Sequence, residues 1–192
     1  MANKTKSSNI VVGLDIGTSK VVCIVGKFVE DNLEIIALGA YPSSGLKKGV
    51  VVNIDATTDA ISKAVEQAQS MVEEKIKSVF VGIAGNHIKS LNSQGAVGIK
   101  DREVSSFDID RVIDSAQAVS IPSDQRVLHV LPQEFVIDGQ EVSLDPLGMS
   151  GVRLEAKVHL VTCSNSAIKN IEKCIKNCGL GVQGFVLEQL AS

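Results

Sequence analysis

Aromatic residues are nearly missing from this chain: of 192 residues none is Trp, one is Tyr and five are Phe. Proteins that hold single-stranded nucleic acid stack bases on such rings, so that class is disfavoured. The formal net charge of −3 gives no footprint for a polyanion, and no nucleic-acid partner is expected. No apolar run approaches the roughly eighteen residues of a membrane span. Lys4 and Lys6 precede an apolar run that Asp15 interrupts, too short and too polar for a secretory signal. A cytoplasmic compartment with reduced thiols is therefore expected. Cysteine is also sparse: Cys23 and Cys163 fall in predicted strands, and Cys174 and Cys178 lie four apart on a predicted helix. This is not zinc-ligand spacing, and each is read as a small buried hydrophobe. His87, His129 and His159 are far apart, the last two among Val and Leu in predicted strands. Either of those two could be buried and hydrogen-bonded, and with no paired carboxylate or serine elbow no catalytic or metal role is assigned to any of the three.

What is present is a Val- and Ile-rich chain, 44% hydrophobic and 21% charged, long enough to bury a real core in one domain or two small ones. It is organised around residues 10–20. An apolar β-branched run at 10–14 breaks at Asp15-Ile16-Gly17-Thr18-Ser19, and a second run begins at Val21. Two such strands joined by an acid-Gly-hydroxyl turn predict a hairpin. Its tip has the chemistry to face a phosphate. Gly17 lets backbone N–H groups approach closely, Thr18 and Ser19 add hydroxyls, and Lys20 adds a cation. Asp15 would repel a phosphate, so its place is one shell out, holding water on a Mg²⁺ ion that the phosphates also bind. A plain polar turn fits the same five residues.

A third strand at 33–41 completes a meander. Residues 42–49 read as a loop in which Lys47 and Lys48 are solvated rather than phosphate-bound, and 50–54 as a short extended stretch. Asp55, Thr57 and Thr58 are candidate caps of a helix whose Ile61, Ala64, Val65, Ala68 and Val72 share one face. A strand at 78–84 follows, so the helix packs on a mixed sheet.

The rhythm changes from Asn86. Strand-like pieces at 87–91 and 96–99 precede a helix over 107–119, capped by Ser105 or Ser106, with Ile109, Val112, Ile113 and Ala116 on one face. Then come a strand at 126–137, a turn at Asp138-Gly139, a loop at 144–151 and a strand at 152–162. The first rhythm resumes with a helix capped by Ser164 or Asn165, bearing Ile168, Ile171, Cys174, Ile175 and Cys178 on one face and closed by Gly179. A strand at 181–187 leads into a helix beginning at Glu188. The sequence stops one turn into that helix, which predicts a piece of a longer chain.

Asp15-Ile16-Gly17-Thr18 after an apolar strand resembles the first phosphate hairpin of the actin, Hsp70 and sugar-kinase superfamily. Residues 126–138 (RVLHVLPQEFVID) and 145–162 (DPLGMSGVRLEAKVHLVT) closely resemble the bacterial cell-division FtsA family, and the likeness runs from about residue 10 to 192. The resemblance implies an α/β, actin-like (ribonuclease H-like) subdomain 1A, residues 1–85 and 163–192, interrupted by a small α+β subdomain 1C, residues 86–162. The family's chains are roughly twice this length, so the second large lobe would be absent and half of an ATP cleft present. Carried over by position, Asp15, Gly17, Thr18, Ser19 and Lys20 bind the nucleotide, with Asp15 meeting Mg²⁺ through water. Glu188 falls where related proteins place the group that positions the attacking water, although their Glu-Pro pair reads Glu188-Gln189 here. A charge that merely starts a helix is the plainer role. The resemblance further implies self-association into actin-like filaments, weak hydrolysis at most, and tethering of the FtsZ ring to the inner membrane. The cell location would be the cytoplasmic face of that membrane at the septum, reached through an amphipathic helix beyond this sequence. FtsN or other late division proteins would dock on 1C. The alternatives are a PilM-like pilus-assembly relative and a sugar-kinase-type phosphotransferase.

Overall fold

Apolar side chains alternate along most of the strand segments, so each sheet has one face made for burial. The elements run β1 (Ile10–Ile16), β2 (Lys20–Val29), β3 (Asn32–Pro42), β4 (Leu46–Lys47), β5 (Val50–Val51), α1 (Ile54–Gln69) and β6 (Ser78–Ile83). They continue with β7 (Ile88–Gly98), α2 (Ser106–Gln117), β8 (Gln125–Ile137), β9 (Gln140–Val142), β10 (Arg153–Ser164), α3 (Asn165–Asn177), β11 (Gly181–Leu187) and α4 (Glu188–Ala191). This computed structural model describes residues 10–30, 32–142 and 145–191. Lys4 and Lys6, Leu144 at the start of the predicted Asp-Pro-Gly loop, and Ser192 lie outside them. The chain divides into one unit of residues 1–87 with 166–192 and a second of residues 88–165.

The first unit is a five-stranded sheet in the order β11-β6-β1-β2-β3. β1, β2 and β3 pair antiparallel, whereas β6 runs parallel to β1 and β11 parallel to β6. Val12, Leu14, Ile16, Val21, Cys23, Val25, Val79, Val81 and Ile83 make the buried face. Helix α1 packs against β2 and β3. It comes close because Gly39 has no side chain: a Cβ there would lie 2.0 Å from the Ala64 carbonyl oxygen. Beside it runs α3, with the Cys178 thiol bonded to the Thr58 carbonyl and accepting from the Ser62 hydroxyl. All four cysteines are free thiols, and burial pushes each thiol pKa up, that of Cys23 to about 11. They are the inert, packed cysteines that their spacing implied.

The second unit is an antiparallel sheet in the order β7-β10-β8-β9 with α2 on one face. Leu154, Ala156, Val158 and Leu160 alternate into a core with Val112, Ala116 and Phe135. Gly95 serves α2 as Gly39 serves α1, since a Cβ there would lie 2.4 Å from the Ala116 nitrogen. Ser105 caps α2: its hydroxyl accepts from the Asp108 N–H, and Asp108 accepts from the Ser105 N–H at 3.1 Å. Hydrogen bonds from Ser105 hold the Asp108 carboxyl below the usual carboxylate range. On the open face the cross-strand pairs are polar: Lys157 with Glu134 at 3.0 Å and His159 with Asn92 at 2.7 Å.

Several local expectations are corrected. Asp15 is not in the turn but inside β1, and Lys20 opens β2, because the ladder continues to the Ile16–Val21 pair. Residues 46–51 form a tight hairpin instead of loop and extended stretch. The cap of α1 is Asn53, whose Oδ1 accepts from the Ala56 N–H at 3.0 Å. Asp55, Thr57 and Thr58 all lie within that helix, and Val72 lies beyond its end. Residues 88–98 form one strand where two pieces were expected. The Asn165 side chain donates to the Ser123 carbonyl, and Asn165 is itself the first residue of α3.

Gly39→Ala is expected to cost about 2 kcal/mol in urea denaturation, since its methyl collides with helix backbone that cannot yield cheaply. An unchanged midpoint would mean that α1 lifts from the sheet at no cost.

Candidate functional site

The three parallel strands β1, β6 and β11 end at the same edge of their sheet, the place where open α/β sheets hold ligands. Register fixes what meets there. Asp15 on β1 and Val186 on β11 both pair with Gly82 on β6, and Glu188 follows one step beyond β11. Val12, Leu14 and Ile16 point into the core, so the intervening Asp15 points to the opposite face. Gly82 leaves the space between the two acids open, with Glu188 Cγ only 3.5 Å from where its Cβ would be.

Burial raises the Glu188 pKa to about 7, helped by a hydrogen bond to Asp15 and by the Asp15 charge. The like charge and hydrogen bond of Asp15 add to burial in favouring the protonated form of Glu188.

The turn between β1 and β2 is closed by the Gly17 N–H donating to the Lys20 carbonyl at 3.0 Å, and tied down by the Ser43 N–H donating to the Ser19 carbonyl at 3.0 Å. Thr18, Ser19 and Lys20 are exposed at its tip. The turn, both carboxyls and the Ala84-Gly85-Asn86 segment after β6 line one cavity of about 600 Å³. All six sequence-predicted site residues, Asp15, Gly17, Thr18, Ser19, Lys20 and Glu188, are thus lining residues of one space. Lys48, read from sequence as solvated, also lines it, whereas its neighbour Lys47 does not. Asn86 was missed as well. No local pattern marks Asn86, and Lys48-Gly49 is not one of the pairs that signal a two-residue hairpin turn.

The donor set has two poles. Hydroxyls and lysines at the turn suit an anion, and the Asp15–Glu188 pair suits a hard divalent cation that keeps most of its water. A Mg²⁺–phosphate ligand carries both charges in the matching order, so the residues present fit such a group.

The fold and this edge define an actin-like α/β protein with an α+β module placed between β6 and α3. A pilus biogenesis complex of PilM with PilN overlays on 94% of this chain and 48% of its own, with a TM-score of 0.63 at 14% identity, a likeness of fold. Residues 85–162 match the family described as the SHS2 domain inserted in FtsA. The chain is 61% identical over 188 residues to the cell division protein FtsA of Pseudomonas aeruginosa, covering 97% of this chain and 45% of that protein. It is 51% identical over 180 residues to that of Neisseria meningitidis serogroup B, covering 93% and 44%. Against Escherichia coli strain K12 the figures are 42% over 190 residues, 98% and 45%. Over nearly all the residues it contains, the chain is similar to FtsA cell-division proteins, and its middle segment matches the domain inserted in them. It spans less than half the length of these relatives.

Because the folded protein holds the Glu188 proton more tightly than the unfolded chain, this pair's contribution falls as pH rises from 4.5 to about 7. Glu188→Gln mimics the protonated acid. Its melting temperature is expected to match that of the unaltered chain near pH 4.5 and to exceed it near pH 8. Parallel melting curves at both pH values would mean that the two carboxyls do not interact.

Proposed function

We propose that this chain supplies the first phosphate-binding wall of a nucleotide cleft in an actin-like cell-division scaffold. The observation that carries the reading is the convergence of Asp15, the Gly17–Lys20 turn and Glu188 at one sheet edge, in a chain 61% identical to an FtsA cell-division protein over 188 residues. Gly17, Thr18, Ser19 and Lys20 hold the phosphates of ATP, and Asp15 meets Mg²⁺ through water. The ion, when bound, neutralises phosphate charge. Glu188 is placed to orient a water molecule, and its raised pKa lets it keep or release a proton near neutrality. Hydrolysis is weak at most, so nucleotide acts chiefly by setting conformation and polymer state.

In this reading residues 1–85 and 163–192 form subdomain 1A, and residues 86–162 form 1C. The whole protein polymerises and tethers the FtsZ ring to the cytoplasmic face of the inner membrane through an amphipathic helix outside this sequence. Subdomain 1C contributes a polymer contact and docks late division proteins such as FtsN. A PilM-like role in pilus assembly is the second reading, favoured only by the overlay of fold.

The test is a calorimetric titration of MgATP into this chain and into a version extended to the length of its relatives. Saturable binding by the extended protein, weakened at least about tenfold by Asp15→Ala, is the expected result (about 1.4 kcal/mol). Undiminished binding by Asp15→Ala would remove the residues at 15–20 from the site.

A further inference from the structure

The cavity that holds the proposed nucleotide site has a second cationic wall. The hairpin of β4 and β5 turns through two residues, Lys48 and Gly49, both with positive φ, 52° and 78°. This is the tight two-residue turn that Asn-Gly, Asp-Gly and Gly-Gly favour. The chain uses such a favoured pair elsewhere: Asp138-Gly139, with φ of 49° and 85°, turns β8 into β9. Lysine has neither the missing Cβ of Gly nor the short polar side chain that makes left-handed backbone tolerable for Asn and Asp. Glu30 and Arg102 also have positive φ, at 55° and 59°, so the backbone alone does not mark a site, and what sets Lys48 apart is that it lines the cavity. It is also locked in place. A Cβ on Gly49 would lie 2.2 Å from the Ala84 carbonyl oxygen, and one on Gly85 would lie 2.8 Å from the Lys48 carbonyl oxygen. The turn backbone thus rests directly on the segment that leaves β6.

Lys48 and Lys20 line the same cavity from different hairpins. Neither ammonium has an ion-pair partner among the described residues, although both carboxyls of the cavity are near. The carboxyls instead bond to each other. Two lysines left without a carboxylate, converging on one space, call for an external anion with charge at more than one point.

We infer that Lys48 is a phosphate-binding residue, the second cationic arm of the cavity, and that with Lys20 it selects nucleotides carrying two or more phosphates over monophosphates. The inference rests on the nucleotide reading above. Lys48 reaches the phosphates from the β4–β5 hairpin and Lys20 from the turn between β1 and β2, and the Lys48 turn rests on the segment after β6. Strain at a residue facing a cavity is the cost such sites accept for placement.

Lys48→Asn separates this role from a structural one, because Asn suits the left-handed backbone better and the variant folds at least as well. In the protein extended to the length of its relatives, Lys48→Asn is expected to raise the melting temperature. It should weaken MgATP and MgADP binding about tenfold, leave AMP within about twofold, and flatten the salt dependence of MgATP affinity. Lys47→Asn on the same hairpin, outside the cavity, should leave MgATP affinity unchanged. Equal MgATP affinity for Lys48→Asn and the unaltered protein, with binding lost by Asp15→Ala, overturns this inference and leaves the nucleotide site standing. An equal loss for AMP overturns the selectivity. No saturable MgATP binding by the unaltered extended protein overturns the nucleotide reading, and Lys48 with it.

Discussion

Parallel pairing of β6 with both β1 and β11 is the constraint on which the rest depends. It brings three strand ends to one edge and so makes neighbours of Asp15 and Glu188, which lie near opposite ends of the sequence. Parallel neighbours need a crossover between them, and a crossover has no fixed length. α1 occupies the crossover from β1 to β6, along with the rest of the meander. The connection from β6 to β11 carries the whole second unit before α3 returns the chain to the sheet. Lengthening a connection adds only a slowly growing closure cost, so a module that folds around its own core can be carried there without disturbing the register that aligns the acids.

Both units solve the packing of helix on sheet in the same way. Gly39 opposite Ala64 and Ala68, and Gly95 opposite Val112 and Ala116, let helix backbone settle where side chains would otherwise hold it off. The contacts are then backbone against backbone, with small residues on both sides. Such a joint has little freedom to slide, because a shift of one residue would bring a Cβ into the gap. The opposite face of the first sheet carries no such joint among the described residues. Leu38 and Phe80 stand half exposed on it, at 50% and 38%.

Much of this was legible in the sequence where the signal is local. Strand alternation, a hydroxyl cap of α2 at Ser105 or Ser106, the Asp138-Gly139 turn and Gly179 after α3 each follow from chemistry within a few residues, and the structure settles that cap on Ser105 with Asp108 as its partner. The errors have local causes too. The Gly45 carbonyl accepts from the N–H groups of both Val52 and Asn53, which keeps the chain from becoming helical before Asn53 and makes that residue the cap over three later candidates. Asp15 looked like a turn residue because acids are rare in strands, but its side of β1 faces away from the core. Glu188 had no local signal at all. Its importance comes from register across β6, which only the resemblance to a family suggested. Lys48 was set aside because a lysine in a Gly- and Ser-rich loop is usually solvated, and its left-handed backbone cannot be read from composition.

The charges of the cavity sum to zero if Asp15, Glu188, Lys20 and Lys48 all ionise, yet they do not neutralise one another. The acids are paired with each other, which favours the protonated form of Glu188, and the lysines are paired with no acid among the described residues. An arrangement that kept opposite charges together would be more stable and would bind nothing. Segregated charge leaves Lys20 and Lys48 without an acid among the described residues and sets two acids side by side, so a ligand with a cation at one end and anionic oxygens at the other suits both poles. Binding and local stability then become linked, because whatever fills the cavity removes a repulsion that the empty protein must otherwise hold. A ligand bound there would be linked to the sheet edge itself, through Asp15 on β1 and Glu188 beyond β11, by binding alone.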